Sequence, residues 1–114
     1  MKVDLCGRYG DHIMSGSDGE ALGGEIAAAL QRAETVAIDF SGVKSILSAF
    51  LNPAVGSLYA RFPADMVDRL VTAIDATDLQ RSSFDAVRES AREYHNDPRV
   101  RLARESAIQD LLVS

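Results

Sequence analysis

Hydrophobic residues along the chain change their spacing several times, and each change marks an element. In Lys2 to Cys6, Val3 and Leu5 alternate with Lys2 and Asp4, the period-two pattern of a strand. Gly7 to Gly10 supplies a turn before His12-Ile13-Met14, so this opening reads as a hairpin or two short strands. From Leu22 the spacing becomes three and four, and Leu22, Ile26, Ala29, Leu30 and Ala33 fall on one stripe of a helix. Ser17 is the expected N-cap, with Glu20 three residues on to return a bond to the cap amide. Gly23 and Gly24 each cost about 1 kcal/mol against alanine inside a helix. They point to close packing against a neighbour or to fraying near the start.

Thr35 to Phe40 is a strand-forming run closed by Ser41-Gly42, the pattern of a buried central strand. A helix is expected over Phe50 to Phe62, with Leu51, Val55, Leu58, Tyr59 and Phe62 on one face and Pro63 as its stop. Asn suits a cap and proline the first helical position, so Asn52-Pro53 suggests that its regular part begins at Pro53, after an irregular turn over Leu47 to Leu51. Arg69 to Ile74 reads as a second apolar strand, and Asp75 to Asp78 as the turn and cap of a helix over Leu79 to Tyr94, with Leu79, Phe84, Val87, Ala91 and Tyr94 as its apolar residues. Asn96-Asp97-Pro98 closes that helix. Arg99 to Leu112 is helical by propensity, with Leu102, Ile108, Leu111 and Leu112 as its apolar residues. Helices alternating with strands imply parallel pairing through right-handed crossovers in an α/β layer fold. The expected architecture is one small domain over residues 1–97, a mixed central sheet with helices packed on it, and a C-terminal helical tail over 98–114.

Composition narrows the function more than the fold. A chain of 114 residues with 46% hydrophobic and 25% charged side chains is the size and make-up of one globular domain. Its formal charge of -5 argues against a nucleic-acid surface, which needs clustered Lys and Arg. The lone Cys6 excludes an internal disulfide and reads as a buried small hydrophobe. His12 and His95 lack the short spacing of zinc ligands, so neither a metal nor a cofactor is expected. The N-terminus does not read as a signal peptide, and no stretch approaches the ~20 apolar residues of a membrane span. A cytoplasmic protein that binds neither nucleic acid nor membrane is the expectation.

Two enzyme-like patterns dissolve on inspection. Ser15-Gly16-Ser17-Asp18-Gly19 lacks the Gly-Lys-Ser/Thr ending of a phosphate loop, and a capped turn describes it better. Ser48, His12 and Asp39 would make a triad on paper, but no Gly-x-Ser-x-Gly elbow is present. No catalytic residue is assigned, and the chain is not expected to be an enzyme.

The stretch IDFSGVKSILSAFLNP, Ile38 to Pro53, is the most informative. A strand ends at Asp39, Ser41-Gly42 turns the chain, and Ser48 stands where the next helix opens. A hydroxyl there can cap free amides, and a phosphate there would gain from the same amides. Val36-Ala37-Ile38-Asp39-Phe40-Ser41-Gly42-Val43 followed by Ser48-Ala49-Phe50-Leu51 resembles the core signature of STAS domains, named for sulphate transporters and anti-sigma factor antagonists. Ser48 to Gly56, with the Ser17-Asp18-Gly19-Glu20 helix start, is similar to STAS-like domains of bacterial proteins. The resemblance runs from about Val3 to Tyr94. Leu47 stands where STAS domains have Asp, and Ala49-Phe50 replace Ser-Gly.

The resemblance implies a non-enzymatic regulatory module of the anti-sigma factor antagonist kind, with Ser48 at the position phosphorylated by a GHKL-type ATPase kinase. It also implies a protein-binding surface around Asp39, Ser41, Gly42, Ser45, Leu47, Ser48, Phe50 and Asn52. A second reading is an architectural domain with an inert Ser48, forming a homodimer or joining a larger complex through its apolar tail.

Overall fold

The computed structural model describes residues 1–96. The elements follow as β1 (Lys2–Asp4), α1 (Leu5–Tyr9), β2 (His12–Ile13), α2 (Gly16–Gln31), β3 (Val36–Asp39), β4 (Ser45–Ile46), α3 (Ser48–Ala54), a 3₁₀ helix (Gly56–Ala60), α4 (Ala64–Leu70), β5 (Val71–Ile74) and α5 (Asp78–Asn96). The expected α/β class and central strand both hold. β3 lies between β1 and β5, pairing Val3 with Ile38 and Ile38 with Ala73, and Val36 and Ile38 are buried. Every ladder among the described residues is parallel, so the expected single mixed sheet is instead a parallel three-stranded sheet beside a parallel pair, β2 with β4. The expected tail over 98–114 lies outside the described residues.

The opening hairpin is also corrected. β1 and β2 belong to different sheets, and α1 stands between them. Asp4 makes the difference: its carboxylate accepts from the Gly7 amide at 3.0 Å and caps a short helix with Leu5 on its buried side. Gly10, at φ 87°, then ends α1 in a conformation that favours glycine.

Ser15, not Ser17, caps α2. Its extended backbone directs Oγ to accept from the Asp18 amide at 3.2 Å. Of the expected stripe, Leu22, Ile26, Ala29 and Leu30 are buried, whereas Ala33 lies beyond the helix end, exposed and at φ 56°. On the same helix, Gly19 and Gly23 let α3 come into backbone contact. A Cβ on Gly19 would stand 2.4 Å from the Phe50 carbonyl oxygen, and one on Gly23 the same distance from that of Pro53. Gly24 faces open space. Close packing therefore explains Gly23 and not its neighbour.

α3 begins at Ser48 and contains Pro53, where a start at Pro53 was expected. The Leu47 carbonyl accepts from the amides of Phe50 and Leu51, and Phe50, Leu51 and Ala54 form the buried face. The missing proline amide falls near the helix end, and the chain then tightens into the 3₁₀ helix. α4 was not expected. It is a short helix opened by Pro63, burying Val67 and Leu70 before β5. The Val71 amide bonds back to Val67, and the Ala73 carbonyl accepts from Arg81 Nη2 at 3.1 Å, so neither group is open to a foreign strand.

Thr77 and Gln80 cap α5 reciprocally: Thr77 Oγ1 accepts from the Gln80 amide, and Gln80 Oε1 accepts from the Thr77 amide. Gln80 Nε2 also donates to the buried Val43 carbonyl at 2.7 Å, tying the helix to the loop after β3. Phe84 meets Phe40 edge to face in the core. Further along, Arg88 donates to Tyr59 and Asp68, and Arg92 pairs with the same Asp68, which fastens α5 to α4.

Candidate functional site

The residues singled out around Ser48 fall into two groups. The first gathers at the carboxyl end of β3. Asp39 is 7% exposed, and its carboxylate accepts from the Ser41 amide at 2.9 Å. That amide, with the Ser41 hydroxyl, holds the Asp39 carboxyl below its ordinary value; Lys2, with Nζ 3.5 Å from Oδ2, acts in the same direction and outweighs part of the cost of burial. The Ser41 hydroxyl donates to Asp75 Oδ2 at 3.3 Å. Gly42 turns the chain at φ 78° above the Cys6 thiol, where a Cβ would come within 3.1 Å of Sγ. Ser41 and Gly42 are turn residues that close the strand, as their sequence suggests.

The second group lies on β4 and α3. Ser45 pairs with His12 across the β2–β4 ladder, and Ser45 Oγ is 2.7 Å from His12 Nδ1. His12 therefore takes Ser45 as its partner, while Asp39 takes Ser41 and Lys2. Leu47 is the extended N-cap residue of α3 and supplies no side-chain cap bond, so the cap role weighed for Ser48 is not the one it plays. Ser48 is instead the first helical residue, exposed, and Asn52 follows it one turn later, also exposed. Phe50 is corrected from a contact residue to a core residue: it is 1% exposed and meets Tyr9 edge to face at 5.2 Å.

Ser48 lies on the rim of a groove of about 510 Å³ between α3 and α5. Ile46, Leu47, Ser48 and Asn52 form one wall, and Ser83, Ala86, Val87 and Ser90 form the other. Among the described residues, none that lines it is charged. The α5 wall was missed in the sequence, although Ser83, Ala86 and Ser90 recur at spacings of three and four without a charge; Leu79, expected among the apolar residues of that helix, is corrected to an exposed position one turn ahead of them. Among the described residues, no group of three or more His, Cys, Asp or Glu could hold a metal ion, and no helix is long and apolar enough to cross a membrane.

A parallel sheet alternating with helices, an Asp39-Phe40-Ser41-Gly42 turn ending its central strand, and a serine opening the following helix place the chain among small α/β domains of STAS-like type. The family is given by a direct match. The family described as STAS-like domain of unknown function (DUF4325) matches residues 18–80, more than half of the chain, and the chain belongs to it. The match takes in both Ser41 and Ser48, from the first turn of α2 to the first turn of α5. No curated protein and no solved structure matches the chain.

Proposed function

We propose that this STAS-like domain is a non-enzymatic regulatory module that docks a protein partner on β4, α3 and the facing side of α5. Ser48 is its phosphoacceptor, modified in the cytoplasm by an ATPase kinase of the GHKL type. The observation that carries the reading is the position of Ser48: exposed, first in α3, and on the rim of a groove whose lining is uncharged. A phosphate there adds a charge of about -2 and several strong acceptors. With no cation in the lining to neutralise it, that charge opposes a partner that inserts uncharged side chains. Asp39, Ser41 and Gly42 serve the switch indirectly, by fixing the turn that delivers β4 and α3. No residue is given a catalytic role.

The test is to incubate the protein with ATP and a GHKL-type ATPase kinase, follow intact mass, and measure binding of the kinase by calorimetry. The expected result is a single phosphoryl adduct that Ser48→Ala abolishes, with tighter binding by the unmodified form. Absence of both adduct and binding would remove the proposal; an adduct that survives Ser48→Ala would move the switch to another residue.

A further inference from the structure

His12 joins neither Ser48 nor Asp39, but it anchors a different trio. β2 and β4 run parallel with His12 directly opposite Ser45. Successive side chains of a strand point to opposite faces, so Ile13 turns into the core while His12 and Ser45 share the exposed face. Asp11 immediately precedes His12, and its carbonyl accepts from the amides of Lys44 and Ser45 at 2.7 and 3.1 Å, which fixes the two strand starts against each other. The side chains then follow in a line. Lys44 Nζ lies 3.6 Å from Asp11 Oδ2, Asp11 Oδ1 lies 3.9 Å from His12 Nε2, and His12 Nδ1 lies 2.7 Å from Ser45 Oγ.

We infer that Ser45 is an acyl-acceptor serine, with His12 as its base and Asp11 as the residue that positions the base. The two nitrogens of the imidazole carry the inference. A carboxylate beside Nε2 favours the ring proton on that nitrogen, which leaves Nδ1 as an acceptor to which the Ser45 hydroxyl donates. When Nδ1 takes the serine proton the ring becomes a cation, and it does so beside the Asp11 carboxylate. Lys44 holds the other oxygen of that carboxylate and leaves Oδ1 to the ring. The order is that of serine, histidine and acid in acyl transfer, with the two ring nitrogens exchanged. In the step itself, Ser45 Oγ bonds to the acyl carbon and its proton passes to His12 Nδ1. The bond from that carbon to the leaving group breaks, and the leaving group departs with the electron pair and collects the proton from His12. Ser45 ends as an ester and the imidazole returns to its neutral form. Exposure sets the class of donor. The His12 side chain is 56% exposed and that of Asp11 47%, so the trio stands open to water, with no pocket closed around a long acyl chain. A base in such a setting supplies the low end of the usual range, about 10²-fold. That is enough for a short acyl group on a leaving group that departs easily, a thioester or an aryl ester, and not for an amide. The inference is independent of the Ser48 reading, because it uses the β2–β4 ladder and no residue of α3 or α5.

The probe that tests it is p-nitrophenyl acetate, added to the full chain at neutral pH, with the acetylated residue located by tandem mass spectrometry after quenching. The expected result is an acetyl group on Ser45 that is absent in Ser45→Ala and forms about 10²-fold more slowly in His12→Gln. Ser48→Ala should acetylate at Ser45 as wild type does, so failure of this inference and failure of the phosphoacceptor reading are separate results. Asp11→Asn should slow the reaction and Asp11→Glu restore part of the rate, which a merely structural role for Asp11 would not produce. Unchanged thermal midpoints will show that the variants fold. No acetyl group on Ser45, one that forms as fast in His12→Gln, or an Asp11→Asn rate equal to that of wild type overturns the inference.

Discussion

Gly23 and Gly24 are adjacent in one helix, and replacing each by alanine should change stability in opposite directions. Intrinsic propensity treats them alike: alanine gains about 1 kcal/mol over glycine within a helix. At Gly24 nothing lies within 4 Å of the new Cβ, so that gain should appear in full. At Gly23 the Cβ would stand 2.4 Å from the Pro53 carbonyl oxygen, well inside any contact that real Cβ atoms make. The obstacle is backbone, and α3 cannot withdraw freely, because Phe50, Leu51 and Ala54 anchor it in the core. Forcing such a contact costs typically ~1–3 kcal/mol and, given how close it is, the upper part of that range is expected. Gly23→Ala should therefore lose about 1–2 kcal/mol net. For a domain of this size a change of 1 kcal/mol moves the midpoint by roughly 4–8 °C, so the two variants, differing by about 2–3 kcal/mol, should melt on either side of wild type, roughly 8–24 °C apart. Urea denaturation and calorimetry would both read it, and Gly19→Ala, facing the Phe50 carbonyl at the same distance, is a second instance of the clash. A Gly23→Ala protein as stable as Gly24→Ala would refute the close approach of α2 and α3.

Two further outcomes follow from buried polar groups. Thr77→Ala removes one cap bond of α5 and should cost about 1 kcal/mol, whereas Gln80→Ala also leaves the Val43 carbonyl unpaired and should cost about 2–3 kcal/mol by urea denaturation. Equal costs would mean that the bond to Val43 contributes nothing. The Asp39 carboxyl titrates below its ordinary value in the fold, so its ionised form contributes stability that is complete above the unfolded value near 3.9 and fades as pH falls through the lower, folded one. Wild type should therefore exceed Asp39→Asn by a constant margin from about pH 7 to 5, with the margin closing below about pH 4; a margin unchanged down to pH 3 would contradict the bonding seen at Ser41.

How far the fold was legible depended on whether a segment's neighbours in sequence were also its neighbours in space. β3 was legible because a strand-forming run between a helix and Ser41-Gly42 has few other uses. The core stripe of α2 was legible over Leu22 to Leu30 for the same reason, since burial of one face imposes a period of 3.6; on α5 only Phe84 and Val87 of the expected apolar residues are buried. α1 was not, because a five-residue helix has too few turns to show a period, and its cap, Asp4, sits at a position that alternation claims equally for a strand. α4 was hidden behind Pro63, which stops one helix and opens the next with equal propriety. Pro53 misled in the same way: first-position preference is real, but the anchoring of Phe50 and Leu51 in the core set where α3 begins. The choice between Ser15 and Ser17 as cap turned on which serine is extended, and that is decided by the exit from β2.

The site was legible only on the side that the Ile38 to Pro53 stretch supplies. That stretch places Ser48 at the start of a helix, and the structure keeps it there, yet a serine on a bare helix end and a serine on the wall of a groove differ in what they can regulate. The second wall belongs to α5, more than thirty residues downstream, and the tie that aligns it is the Gln80 bond to the Val43 carbonyl just ahead of β4. A phosphate on Ser48 is thus placed to act on whatever lies along α5 as well as on a ligand of α3. A partner held along α5 therefore loses ground when Ser48 carries charge, and Ser48→Asp should weaken its binding even where no kinase is present. If a partner binds Ser48→Asp as tightly as wild type while Ala86→Glu, on the α5 wall, abolishes its binding, then the two walls act independently and the switch must work through α3 alone.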